Sequence, residues 1–177
     1  MMAADKSGNQ IVVDAGDNSG QPFPRMGGPL VLKTTKQYTS SVLGTWVNLD
    51  QLQVPCLAGV AYNAKFTLIG RSDTLTTSLR FRCRHTGTYS RAAIMGEAVL
   101  SLSAGAACVA QAMGQALDTA TTYNFSNVPA INSDLFLRFE IQHVCLTPGY
   151  LYLQLNTEVD TSVVSVEIGS MVEAYQA

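Results

Sequence analysis

Three stretches of this chain alternate apolar and polar residues with a period of two, and this alternation constrains the fold more than any other feature. In residues 62–68, 79–84 and 135–142, aliphatic or aromatic residues take every second position, and mostly polar residues take the others. Side chains of a strand point alternately to opposite faces of its sheet. The pattern therefore predicts strands with one face in a core and the other face outside.

From Pro29 onward, β-branched and aromatic residues recur in short runs that are divided by turn residues. About eight such strands, without a convincing helix, predict an all-β fold, an antiparallel β-sandwich or jelly roll. The predicted strands are Leu30–Tyr38, Thr45–Leu49, Val60–Ile69, Ser78–His85, Ala92–Leu102, Leu135–Leu146, Tyr150–Asn156 and Val163–Ala174.

Two turns are predicted from residue chemistry. Thr147-Pro148-Gly149 combines a residue of fixed φ with one that admits positive φ, and it is expected to join its flanking strands as an antiparallel hairpin. Asp160-Thr161-Ser162 is expected to form the next turn. Residues 103–133 carry no clear pattern. Ala106–Leu117 fits a short helix, but Gly105 and Gly114 favour a packed loop or strand.

The chain is expected to comprise an extended N-terminal arm, residues 1–28, and one sandwich domain, residues 29–177. Glycines and prolines interrupt any regular pattern in the arm. Only Ile11, Val12 and Val13 form a run that fits a strand, and such a strand could add to the sheet edge of a partner. The alternative is a tail with no role.

Charged residues make up only 14% of the chain, well below the ~25% usual for soluble domains, while hydrophobic residues make up 47%. Either Ser, Thr, Asn and Gln cover much of the surface, or apolar surface is buried against other subunits, which predicts a symmetric homo-oligomer. The net charge of −2 gives no attraction to nucleic acid or to an anionic membrane. The chain is therefore expected to bind neither nucleic acid nor a membrane.

Four cysteines, Cys56, Cys83, Cys108 and Cys145, lie far apart and lack the close pairs typical of metal sites. Cys83 and Cys145 fall on the apolar phase of their strands, which indicates buried, reduced thiols and fits assembly in a bacterial cytoplasm. We therefore expect no metal and no cofactor.

The sequence also lacks a catalytic signature. It has no nucleophile-elbow serine and no phosphate-binding glycine loop. Of its two histidines, His143 shares the inward phase of its strand and is predicted to lie in the core or an interface, and His85 is predicted to be exposed. No enzymatic activity is expected.

Besides the Ile11–Val13 strand, partner-binding candidates come from three features. One face of a predicted strand carries Arg80, Arg82 and Arg84, because they occupy every second position. They form either a docking stripe for acidic groups of a partner or a solvated outer face. Tyr150 and Tyr152 are predicted to face outward, where paired tyrosines suit an interface or a glycan platform. The single tryptophan, Trp46, either anchors the core or stacks on a sugar or partner.

The chain resembles a loose family of tailed-bacteriophage virion proteins from head-decoration, head-fibre and tail-associated genes. The segments that carry the resemblance are Gly44–Leu49, Ala58–Tyr62 continuing to Leu68, Thr74–Arg82, Leu153–Glu158 and Val163–Glu173.

The resemblance implies a trimeric jelly roll of the virion that binds the major capsid protein or another virion protein. The leading expectation is a head-shell cement or decoration protein. The alternative is a receptor- or glycan-binding module of a head or tail fibre.

Overall fold

The computed structural model describes residues 2–4, 10–12, 29–99, 108–111, 117, 123–125 and 131–176. Within these residues the chain is almost entirely β-structure, and the helical content is a single 3-10 turn, Asp50–Leu52. No helix in the described part of the chain is long and apolar enough to cross a membrane. The predicted all-β class is confirmed.

Near the N-terminus, strand β1 (Met2–Ala4) pairs antiparallel with strand β2 (Gln10–Val12). The predicted strand is therefore present at Ile11 and Val12, but it pairs with another segment of the same arm. Val13 and most of the predicted arm, residues 1–28, lie outside the described residues.

Two antiparallel sheets form the sandwich. The described strands of the larger sheet are β3 (Leu30–Lys33), β4 (Tyr38–Ser40), β7 (Ala61–Ser72), β9 (Tyr89–Val99), β10 (Cys108–Gln111), β12 (Leu135–Cys145), β14 (Val164–Val166) and β15 (Met171–Gln176). This sheet is built around β7, which pairs with β12 along one edge and with β14 and β15 along the other.

The described strands of the smaller sheet are β5 (Val47–Asn48), β6 (Val54–Cys56), β8 (Leu79–His85), β11 (Tyr123–Phe125) and β13 (Gly149–Thr157). This sheet is built around β13, which pairs with β8 on one side and with β5 and β6 on the other. Strand β11 pairs with the other edge of β8.

The core lies between the inward faces of the two sheets, and the alternating runs of the sequence supply it. Phe66 and Leu137 of the larger sheet and Leu153 of the smaller sheet are at most 1% exposed. Across the sheets, the rings of Phe81 and Phe139 meet edge to face with centroids 5.2 Å apart. This geometry is favoured for aromatic pairs beyond the burial of their area.

The predicted hairpin at Thr147-Pro148-Gly149 is wrong. The turn exists, but β12 belongs to the larger sheet and β13 to the smaller one, so the chain crosses between sheets at this point. Both edges of β12 are already paired, with β7 and β9. The edge that a hairpin partner would need is therefore occupied.

Two predicted strands are each split. Leu30–Tyr38 divides into β3 and β4, and Val163–Ala174 divides into β14 and β15, with Gly169 at φ 92° in the intervening turn. The two breaks lie next to each other, and the Thr34 amide donates to the Ser170 carbonyl at 2.8 Å.

Strand β6 contains Pro55 and was not predicted, because proline is rarely found inside a paired strand.

Residues 103–133, which the sequence left unassigned, contain β10 and β11. Within Ala106–Leu117, residues 108–111 form strand β10. The alternative of a short helix is therefore excluded at these positions.

Candidate partner-binding face

The outer face of the smaller sheet brings together the arginines and tyrosines that the sequence suggested separately. Strands β8 and β13 are antiparallel neighbours, and their register sets Tyr152 opposite Arg84. One step further along, Gln154 lies opposite Arg82, and then Asn156 lies opposite Arg80. The sequence placed both groups on outward phases, but only the pairing of β8 with β13 makes them neighbours.

Arg82 is engaged within the subunit. Its guanidinium carbon lies 4.1 Å from the ring centroid of Trp46, and its Nε donates to Oε1 of Gln154. Gln154 in turn donates to Asn48 at 2.5 Å. Burial, followed by the charge of Arg84, lowers the pKa of Arg82 below its usual value. The central member of the predicted stripe therefore holds the Trp46 segment on the sheet.

Trp46 is half-buried on this outer face, so it does not anchor the core between the sheets.

The two other arginines of the stripe, Arg80 and Arg84, are also half-buried. Nε of Arg84 is buried without a hydrogen-bond partner among the described residues. The charge of Arg80 helps to lower the pKa of Glu158, behind the larger effect of hydrogen bonds from Ser78.

The tyrosine pair is only partly as predicted. Tyr152 is 8% exposed, so the expectation that it is an exposed platform residue is wrong. It lies on the outward phase of β13 but is nearly buried. Tyr150 is half-buried and lines a groove of about 460 Å³ together with Leu30, Leu32 and Pro55. The groove also contains polar residues, namely Asp50, Gln51 and Gln53.

A second surface feature, which the sequence did not reveal, lies at one end of the sandwich. Six large apolar side chains are exposed on the described loops there, each between 39% and 55%. We call this group the loop end. Its members are Val42, Leu43, Leu75, Ile131, Val159 and Val163.

Hydrogen bonds tie these loops together. Asn156, fully buried, donates to the carbonyls of Thr45 at 2.5 Å and Val42 at 3.1 Å, and its Oδ1 accepts from the Gly44 amide at 3.3 Å. Asn156 therefore holds the backbone of the loop that carries Val42 and Leu43. Further bonds connect Thr161 to Ser41, Leu43 to Asp160, Asp73 to Val163 and Asn132 to Ser72.

The histidines meet at the opposite end of the sandwich. His143 is 2% exposed, as its inward phase predicted, but His85 is 6% exposed, so the prediction of an exposed residue is wrong. Residue 85 continues the inward phase of β8, and its ring centroid lies 5.4 Å from that of His143. Cys56 lies close to both, which creates a group of potential metal ligands that the spacing of cysteines did not indicate.

Cys56, Cys83 and Cys145 are free and buried, which confirms the prediction for the last two. The side chain of Cys108 lies outside the described part. Burial raises the pKa of Cys56 to about 12. Without a nearby cation, this thiol is therefore protonated at neutral pH and is a poor nucleophile.

No protein-family model and no curated protein matches this chain. The solved structures that resemble it weakly include those of the Gx and Gt strains of infectious bursal disease virus, at 11% and 10% sequence identity and a TM-score of 0.23 for each. The crystal structure of the infectious bursal disease virus VP2 subviral particle has 14% identity and a TM-score of 0.22.

The matches cover 84%, 99% and 82% of this chain, which spans only 39%, 50% and 39% of the respective viral chains. Similarity at these scores establishes neither a function nor a subunit arrangement for this protein.

Proposed function

We propose that this chain is a structural protein of a tailed-bacteriophage virion, a cement or decoration protein that binds the head shell as a symmetric oligomer, most simply a trimer. The proposal assigns it no catalytic activity. The sequence pattern shared with phage virion proteins and the low fraction of charged residues support it.

The observation that carries the proposal is the loop end. Soluble monomers rarely gather large apolar side chains into one exposed patch, and such patches are typical of protein contact sites. The buried Asn156 holds the loop of Val42 and Leu43 through hydrogen bonds, so binding requires little ordering of that loop. A preorganised apolar patch suits permanent attachment to another protein subunit.

The test compares two sets of variants for binding to particles that lack the protein. The loop-end set is Val42→Ser, Leu43→Ser and Val159→Ser combined. The control set, Met95→Ser and Leu146→Ser, removes equally exposed apolar side chains elsewhere. We expect the loop-end variant to stay folded and to lose particle binding, and the control to bind normally. Equal binding by both variants would contradict the proposal.

Attachment through the N-terminal arm is tested separately. Deletion of residues 1–28 removes β1 and β2 but no strand of the two sheets. We expect the truncated chain to remain folded and to bind particles more weakly. Full occupancy of particles by the truncated chain would show that the arm is not the tether.

The groove beside Tyr150 favours a second candidate, a glycan- or receptor-binding module of a fibre. Aromatic faces and amide side chains are the groups that sugars commonly contact. However, Gln51 already bonds to Thr35, and Asp50 bonds to Lys36 and Tyr38, so few polar groups remain available. Binding of the isolated chain to host cells or glycans, lost in Tyr150→Ala, would favour this candidate over cement.

A further inference from the structure

Three potential metal ligands from both sheets converge at the end of the sandwich opposite the loop end. Cys56 comes from β6, His85 from β8 and His143 from β12, and one ligand atom of each lies within 4.8 Å of the others. All three side chains are buried. The sulfur of Cys145 lies 3.6 Å from Nε2 of His85. A second thiol thus borders the group of three at His85.

His143 provides the independent sign that this region is built for a ligand. Both of its ring nitrogens are buried without a hydrogen-bond partner among the described residues. A buried polar group left unpaired is costly, and most such groups in proteins are satisfied. The ring is also fixed in orientation, because Tyr62 stacks on it at 5.6 Å and the Tyr62 hydroxyl accepts the Leu57 amide at 2.8 Å. A bound cation would satisfy one of these nitrogens.

We propose that Cys56, His85, His143 and Cys145 bind one Zn²⁺ ion, which joins the larger sheet to the smaller sheet. Thiolate and imidazole are the ligands that zinc favours, and closed tetrahedral Cys2His2 sites are structural. Tetrahedral ligands at about 2.0–2.3 Å from zinc lie about 3.3–3.8 Å from one another. The contact of Cys145 with His85 already has this length, and Cys56, His85 and His143 need to close by up to about 1 Å. Cys145 lies outside this group of three, so it must turn toward the ion and give up the 2.8 Å hydrogen bond from its sulfur to the Thr147 carbonyl.

Binding has two local consequences. The Gly87 amide donates to Nδ1 of His85 at 3.1 Å, so the neutral ring carries its proton on Nε2, which faces Cys145. Coordination through Nε2 moves that proton to Nδ1 and breaks the bond from Gly87. Coordination also requires the thiol protons to leave, because zinc binds thiolates. The Gly87 amide therefore reports on ligation.

The test uses the full chain, without an affinity tag that binds metal, after removal of bound metal with a chelator. We expect zinc to bind with one ion per chain, measured by elemental analysis, and to raise the melting temperature. Cobalt(II) in its place should give the visible bands of tetrahedral coordination and a thiolate charge-transfer band in the near ultraviolet. In the NMR spectrum, the Gly87 amide resonance should shift on zinc binding.

Variants identify the ligands. Cys56→Ser and His143→Ala should each weaken zinc binding by more than about 100-fold, since even outer-shell changes cost 10–100-fold. Cys83→Ser is the matched control, because it removes a buried thiol of β8 that is outside the cluster. It should bind zinc like the unaltered chain.

A folded, unaltered chain that retains no zinc and gives no cobalt bands would overturn the proposal, leaving a buried neutral cluster. Zinc binding that survives all ligand variants would also overturn it. The outcome is independent of the proposed virion function, since particle binding is measured at the other end of the sandwich.

Discussion

At the scale of single residues, buried polar side chains do more of the positioning than the sequence suggested. Asn156 and Gln154 lie on the outward phase of β13, yet both are buried, because the segment around Trp46 folds over them. Alternation alone predicts their direction but not this cover. Two measurements test whether these residues hold the segment in place.

Asn156→Ala should lower the free energy of unfolding by about 1–3 kcal/mol, since it leaves buried backbone groups of the loop without partners. Chemical denaturation measures this value. Gln142→Ala, an exposed change on the larger sheet, should stay within about 0.5 kcal/mol of the unaltered chain. Equal values for the two variants would mean that Asn156 does not stabilise the loop.

Arg82 and Trp46 should be coupled in the isolated chain. A double-mutant cycle with Arg82→Gln and Trp46→Ala should give a coupling of about 0.5–2 kcal/mol, because a cation over an indole ring is stabilised. The pair Arg91→Gln and Trp46→Ala, with Arg91 on the larger sheet, serves as the control and should show none. If the first coupling is also zero, Arg82 is available for docking as the stripe hypothesis assumed.

At the scale of secondary-structure elements, the spacing of the two sheets depends on a glycine of β7. A Cβ at Gly70 would lie 2.5 Å from Cδ2 of Leu79 and 3.1 Å from Cδ1 of Leu137. The ends of these two buried leucine side chains therefore occupy the space that the Cβ of another residue would take. The position belongs to the inward phase, where the sequence pattern predicts a larger apolar residue.

Gly70→Ala should destabilise the sandwich by about 1–3 kcal/mol through overpacking. Thermal and chemical unfolding measure the loss. The double variant Gly70→Ala with Leu79→Val should recover part of it, because the shorter side chain withdraws the closest atom. A Gly70→Ala variant as stable as the unaltered chain would show that Leu79 moves aside without cost.

At the scale of the whole molecule, the proposal requires the chain to self-associate. We expect light scattering and native mass spectrometry to find a symmetric oligomer, most simply a trimer, at micromolar concentration. The apolar surface exposed in the described part of one chain motivates this expectation. A protein that remains monomeric under these conditions, while still folded, would contradict it.

Some features of this fold are encoded by neighbouring residues, and others depend on contacts between distant segments. Period-two alternation predicted β7, β8 and β12 and their buried faces. Successive side chains point to opposite faces of a strand, so consecutive residues determine which face is apolar. The same logic placed His143 and Cys145 in the core. The prediction that His85 is exposed was wrong because it relied on the Gly87 turn beside the strand end, whereas alternation along β8 places residue 85 on the inward face.

The sequence by itself therefore determined the all-β class, most strand positions and the direction of the alternating side chains. Only the tertiary structure decided which strands share a sheet, and with it the crossing at Pro148, the contact of Arg82 with Trp46 and the meeting of Cys56 with His85 and His143. These contacts join residues far apart in sequence, so no local pattern encodes them. Each strand can pair only along the sheet edges that other strands leave free, and this pairing brings the distant residues together.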